Sequence, residues 1–268
     1  MTSSLVGSEM CIRDRYTHSQ IGELMSNYGT IDILWLDGGW VSPRNNQDID
    51  MPQIAAMARA KQPGLLVVDR TIHGKYENYQ TPEQKIPEHQ LPYPWESCVT
   101  LTTDWGWVKN PVYKTPNRII SILMEVVAKG GNLLLGVGPT AEGLIEQPTV
   151  KRLQEIGRWM QKNGKAIFHT RITPNYHCGN VWFTADKNGR TLYALYALPE
   201  GETLPAVIEW EGNVPERGTS VRLLSTGQRM KWIERDGKVA VALPAKLAGS
   251  TEPIALQFDT PLPKQNKK

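Results

Sequence analysis

The feature that most limits how this chain can fold is a change of rhythm near residue 165. Before it, segments with a helical period alternate with short apolar runs. Ile21, Leu24, Met25 and Tyr28 recur at helical spacing from Tyr16 until Gly29 stops the pattern. Asp50 to Gln62 carries Met51, Ile54, Ala55 and Ala58 on one face, with Pro52 at an early helical position and Pro63 as the stop. Thr115 to Lys129, opened by Thr115 as N-cap and Pro116, and Pro148 to Asn163 repeat the theme. Between them lie four short apolar runs: Ile31 to Leu36, Leu65 to Val68, Trp95 to Leu101 and Asn132 to Val137. Helices alternating with short apolar strands imply a parallel α/β arrangement whose strands are buried on both faces.

After Lys165 the period shortens to two. Val181 to Ala185, Leu192 to Leu198, Ala206 to Trp210, Ser220 to Leu224, Val239 to Leu243 and Ile254 to Phe258 are separated by turn signals such as D-K-N-G, P-E-G, S-T-G-Q and D-G-K. That is the pattern of an antiparallel sandwich. The expected organisation is a partial (β/α) barrel over residues 16–165, a β-sandwich over 166–260 and a disordered Pro- and Lys-rich tail over 261–268. Residues 1–15, M-T-S-S-L-V-G-S-E-M-C-I-R-D-R, lack any amphipathic period and read as a non-native leader joined to the middle of a domain.

Composition excludes several classes of function. A formal net charge of +3, with Lys and Arg scattered, gives no electrostatic footprint for nucleic acid. No run of eighteen apolar residues offers a membrane span, and the N-terminus has no apolar core of signal-peptide length. Cys11, Cys98 and Cys178 are far apart and share no metal-ligand spacing, so they read as free thiols, and neither metal nor cofactor is implied. Nine tryptophans against three phenylalanines leave indoles available for stacking on carbohydrate.

The chemistry converges on I-D-I-L-W-L-D-G-G-W, residues 31–40, where an apolar strand ends on Asp37. The C-terminal ends of parallel barrel strands line one mouth, which would gather Asp37, Asp69, Arg70, the loop acids Glu77 and Glu83, Trp105 and Trp107. Two carboxylates flanking such a mouth are the minimum for glycoside hydrolysis, and an adjacent Arg favours the charged form of a carboxylate and donates to sugar hydroxyls. A helix cap or a structural ion pair would use the same residue types. The segment from Thr71 through Pro94, with four prolines and little apolar period, reads as a long functional loop.

Taken together, L-W-L-D-G-G-W, V-V-D-R-T, N-Y-Q-T-P-E-Q, P-W-E-S-C, D-W-G-W and G-G-N-L-L-L-G-V-G-P-T-A-E-G occur in the order and at the spacing of a known family. The chain resembles the α-L-fucosidases of glycoside hydrolase family twenty-nine. That resemblance implies the C-terminal half of a (β/α)8 TIM-type barrel followed by an antiparallel β-sandwich, and retaining release of α-linked L-fucose from a fucosylated oligosaccharide or glycoconjugate. It places Asp37 on the nucleophile, Arg70 on a fucose-contacting arginine and Trp105 on an aromatic of the fucose pocket. Apart from the resemblance, Trp40, an indole close after Asp37, and Trp35 are candidate substrate-binding residues. Glu83 is the first choice for the acid/base and Glu96, beside Trp95, the alternative.

Two departures accompany the resemblance. Gly136 stands where the family usually has Asn, which is expected to loosen that strand end. The first half of the barrel, with the family's N-terminal histidines, has no counterpart in the sequence, so weak or absent activity is expected of this chain. The alternative is a non-catalytic carbohydrate-binding module. Family members are often periplasmic or secreted, but no signal peptide marks this chain, and its compartment and oligomeric state stay unassigned.

Overall fold

The computed structural model describes residues 3–261 apart from 39–40, 42, 46 and 71–73; the side chains of 3–11, Pro43 and Asp69 also fall outside the description. Backbone contacts divide the chain into two compact units, Met1–Thr81 with Tyr93–Glu96, and Pro82–Pro92 with Ser97–Lys268.

In the first unit, helix α1 (Ser3–Asn27) and helix α2 (Met51–Lys61) pack on a parallel pair of strands, β1 (Ile33–Leu36) and β2 (Leu66–Asp69). α1 starts well before the Tyr16 expected from periodicity. Arg13 of the supposed leader donates to Gln47 Oε1 at 2.9 Å, and a His18 ring nitrogen lies 2.7 Å from the Ile49 carbonyl oxygen, tying α1 to the loop before α2. α2 follows its signals closely. Asp50 caps it by accepting from Gln53 N at 3.2 Å, and Met51, Ile54, Ala55 and Ala58 are the buried face. They meet Ile21 and Met25 of α1 and Leu34 and Val67 of the strands in one apolar cluster.

Burial on both strand faces does not hold throughout. Ile33 and Leu66, partners in the β1–β2 register, are 44% and 42% exposed, because the helices cover only the other face at that end of the pair.

β3 (Glu96–Thr100), all but its first residue in the second unit, and β4 (Asn132–Gly136) form a two-stranded sheet. Helix α3 (Pro116–Ala128) is capped by Thr115, whose Oγ1 accepts from Arg118 N at 3.1 Å, and helix α4 (Gln147–Asn163) follows β4. The remaining strands, β5 (His177–Cys178), β6 (Val181–Ala185), β7 (Thr191–Tyr196), β8 (Val207–Glu211), β9 (Val221–Leu223), β10 (Arg229–Arg235), β11 (Lys238–Ala242) and β12 (Ile254–Asp259), make one eight-stranded sheet in the order β5-β6-β7-β12-β9-β10-β11-β8. Its registers are antiparallel, as the period-two pattern requires.

One face encloses a core in which Trp210 lies between Phe183 and Phe258, with ring centroids 5.9 and 5.7 Å away. The other face receives the helices: Ile120, Met124 and Trp159 pack with Tyr193, Leu195 and Ala255. The buried Trp159 indole donates to the Pro253 carbonyl oxygen at 2.7 Å. Helices α3 and α4 therefore share a core with the sheet. Among the described residues no helix is long and apolar enough to cross a membrane.

Candidate active site

In the first unit the register sets the site. Parallel pairing of Leu36 with Asp69 makes Asp37 and Arg70 the next residues off the ends of adjacent strands, and Arg70 N donates to the Leu36 carbonyl oxygen at 3.2 Å. The Arg70 guanidinium then reaches the Asp37 carboxylate at 3.4 Å while lying 4.8 Å from the centre of the Trp35 ring. The arginine is the buried member, with a side chain 15% exposed against 62% for Asp37. A partly desolvated guanidinium against an indole face sets a counter-charge beside the carboxylate at the strand end, while the carboxylate itself stays open to solvent.

Trp35 is thus a support for Arg70. Its Nε1 is buried and has no hydrogen-bond partner among the described residues. Trp40 lies outside the described residues, as does the Asp69 side chain.

In the second unit, Glu83 sits on a segment that is less loop-like than its four prolines suggest. Glu83 forms an isolated parallel bridge with Cys98 of β3, with Gln84 N donating to the Cys98 carbonyl at 2.8 Å and Cys98 N donating to the Pro82 carbonyl at 3.0 Å. The Gln84 side chain adds a bond to Thr100 Oγ1 at 3.0 Å. The carboxylate is addressed from the D-W-G-W turn: Trp105 Nε1 donates to Glu83 Oε1 at 2.7 Å. Trp105, 38% exposed, and Trp107, 46% exposed, both show aromatic surface.

Glu96 begins β3, and its backbone N donates to the Gln80 carbonyl at 2.8 Å. Burial pushes its carboxyl above the ordinary glutamate range, the direction a proton donor needs. The neighbouring Trp95 is wholly buried and belongs to the core. Cys98 and Cys178 form no disulfide, and the Cys11 side chain lies outside the described residues.

Residues 8–165 match the Alpha-L-fucosidase family. The chain belongs to that family. Plasma alpha-L-fucosidase of Pongo abelii is 30% identical over 249 residues, which cover 85% of this chain and 51% of the relative. Among solved structures, alpha-L-fucosidase isoenzyme 1 from Paenibacillus thiaminolyticus is 28% identical and superposes with a TM-score of 0.78, covering 92% of this chain and 62% of that one. The alpha-fucosidase of Thermotoga maritima, solved in complex with a mechanism-based inhibitor, is 25% identical with a TM-score of 0.75, over 92% and 56%. The chain spans about half the length of the curated relatives it matches.

Three further residues of this fucosidase-family chain shape the Trp105 region. A Cβ at Gly136 would stand 2.6 Å from two atoms of the Trp105 ring, and one at Gly138 would stand 2.4 to 2.6 Å from the Gly106 and Trp107 backbone. The indole and its turn therefore rest directly on the end of β4. The bareness of Gly136 does not leave the strand end loose, since the Trp105 ring fills that space. Two glycines flanking Val137 were the available sequence signal. Lys114 had none. Its Nζ donates to the carbonyls of Thr100 at 2.7 Å and Thr102 at 3.1 Å, bracing the turn, and burial together with the charge of Arg118 pushes its pKa down.

Proposed function

We propose that this chain carries the chemistry of a retaining α-L-fucosidase, with Asp37 as nucleophile, Glu83 as acid/base and Glu96 as the alternative acid/base. In this reading residues 16–165 are the C-terminal half of a (β/α)8 barrel and residues 166–260 a β-sandwich. The substrate is α-linked L-fucose on a glycan, and turnover by this chain is weak or absent. The observation that carries the reading is the Asp37–Arg70 pair at the ends of two parallel strands in a chain of this family. A carboxylate that is open to solvent and opposed by a largely covered cation is equipped to attack an anomeric carbon.

Arg70 orients Asp37 and donates to the sugar; Trp35 holds Arg70; Trp40 and Trp105 offer apolar surface to the pyranose. Attack by Asp37 forms a glycosyl ester as Glu83 gives its proton to the leaving oxygen. Glu83, then a carboxylate, takes a proton from water, and that water's oxygen releases fucose from Asp37. The Trp105 indole bond favours Glu83 as the choice, because it fixes one carboxylate oxygen; burial of Glu96 favours the rival.

The test uses an aryl fucoside series of graded leaving-group acidity and a version of the protein that carries the whole barrel. Asp37→Ala should lose release of the aryl group and regain it with azide, which takes the leaving group's place at the anomeric carbon to give a fucosyl azide; absence of rescue counts against Asp37. Glu83→Ala should spare the best leaving groups and slow the poorest about a hundredfold or more, whereas Glu96→Ala should slow the series evenly. The opposite pattern reassigns the acid/base. Glycan binding with no release at any leaving group, in a version that carries the whole barrel, would favour the non-catalytic carbohydrate-binding module.

A further inference from the structure

The eight-stranded sheet carries a polar cleft that the proposed hydrolysis does not use. Register sets Gln257 of β12 opposite Arg222 of β9, and Arg222 opposite Arg229 of β10. Their neighbours Leu256, Phe258, Val221, Leu223 and Met230 belong to the enclosed apolar core, so by strand alternation Gln257, Arg222 and Arg229 form one row on the opposite face. Two guanidinium groups directly across an antiparallel ladder repel each other. Nearby arginines are matched with acids, Arg190 with Glu216 at 3.8 Å and Arg217 with Glu234 at 3.9 Å, but among the described residues Arg222 and Arg229 have no carboxylate in ion-pair contact.

A third cation joins the row, since Lys165 Nζ donates to Gln257 Oε1 at 3.4 Å. Thr219, Ser220 and Asp259 complete an open cleft of about 390 Å³ around the arginines. Its single carboxylate is engaged at Oδ1 by the Thr191 hydroxyl at 2.8 Å. Three positive groups around one amide, set against one acid, form a local excess of charge on a face built from register and not from mobile loops.

We propose that this cleft binds an oxyanion carried on a saccharide, a sulfate ester or a carboxylate. Such a group would relieve the Arg222–Arg229 repulsion by bridging them, as a guanidinium fork matches the paired oxygens of either anion. The hydroxyls and the amide beside it suit the sugar that bears it. Only the choice of a saccharide rests on the fucosidase reading; the anion site stands on the charges alone.

The intact chain, titrated at low ionic strength and followed by calorimetry and amide chemical shifts, tests this with three probes: inorganic sulfate, a sulfated monosaccharide and its unsulfated parent. Sulfate should bind saturably, the sulfated sugar more tightly, and the parent should leave β9, β10 and β12 unperturbed. The double variant Arg222→Gln, Arg229→Gln keeps hydrogen-bonding side chains on an outward face and should weaken binding of the sulfated sugar at least about tenfold. Equal affinity for sulfate and sulfated sugar overturns the saccharide as the source of the anion. No saturable binding, or binding undiminished in the double variant, overturns the site itself. Hydrolysis of an aryl fucoside, measured in parallel, reports on the Asp37 reading and is independent of these outcomes.

Discussion

At the scale of single residues, the two competing proton donors differ in what surrounds them. Glu83 is directed by an indole N–H at 2.7 Å, while Glu96 is distinguished by burial at the start of β3. Burial has a consequence that can be measured apart from catalysis. Because the folded state raises the Glu96 pKa, the native chain holds that proton more tightly than the unfolded chain does. Stability is then lost as pH rises through the ordinary glutamate range up to the raised value, and none is lost below it, where both states are protonated. Glu96→Gln removes the ionisation while keeping the shape. In denaturant titrations the variant should match the wild-type chain in acid and exceed it increasingly towards neutral pH. A difference that does not vary with pH would show that burial is not what sets this carboxyl.

At the scale of elements, β4 and the D-W-G-W turn act as one part, because the indole of Trp105 and the backbone of Gly106 and Trp107 rest where side chains at 136 and 138 would otherwise be. The two glycines should fail differently. Gly138→Ala drives a methyl into backbone, which cannot swing aside, and should cost about 1 to 3 kcal/mol in denaturant midpoint measurements. Gly136→Ala meets an exposed ring that can rotate. It should cost less stability but shift the Trp105 indole N–H resonance as the bond to Glu83 breaks; an unshifted resonance would contradict the seat described here.

This juxtaposition also marks the boundary of what sequence could convey. The α2 cap at Asp50 and its four buried residues, the α3 cap at Thr115 and six of the eight sheet strands were legible because each depends on neighbours in the chain. Strand β10 was missed because its sequence, R-M-K-W-I-E-R, breaks the apolar–polar alternation: Ile233 falls on the exposed face with Arg229, Lys231 and Arg235, and Glu234 follows Met230 and Trp232 on the covered one. The bridge of Glu83 to β3, and the choice of Trp105 as its partner, depend on residues far along the chain, and no local pattern encodes them.

At the scale of the molecule, the antiparallel sheet does more than trail the α/β region, since α3 and α4 complete their apolar faces on β7 and β12. The Asp37–Arg70 pair belongs to the other unit, where α1 and α2 hold the parallel strands in the register that brings the two side chains together. Covalent trapping tests whether this register presents a glycosidase nucleophile. An activated 2-fluoro-fucoside forms the glycosyl ester with a good leaving group and hydrolyses it slowly, so even a weak chain accumulates label. Peptide mass spectrometry should find one fluorofucosyl group on the peptide containing Asp37 and none in Asp37→Asn. Label on Glu83 or Glu96, or labelling that persists in Asp37→Asn, would contradict the account.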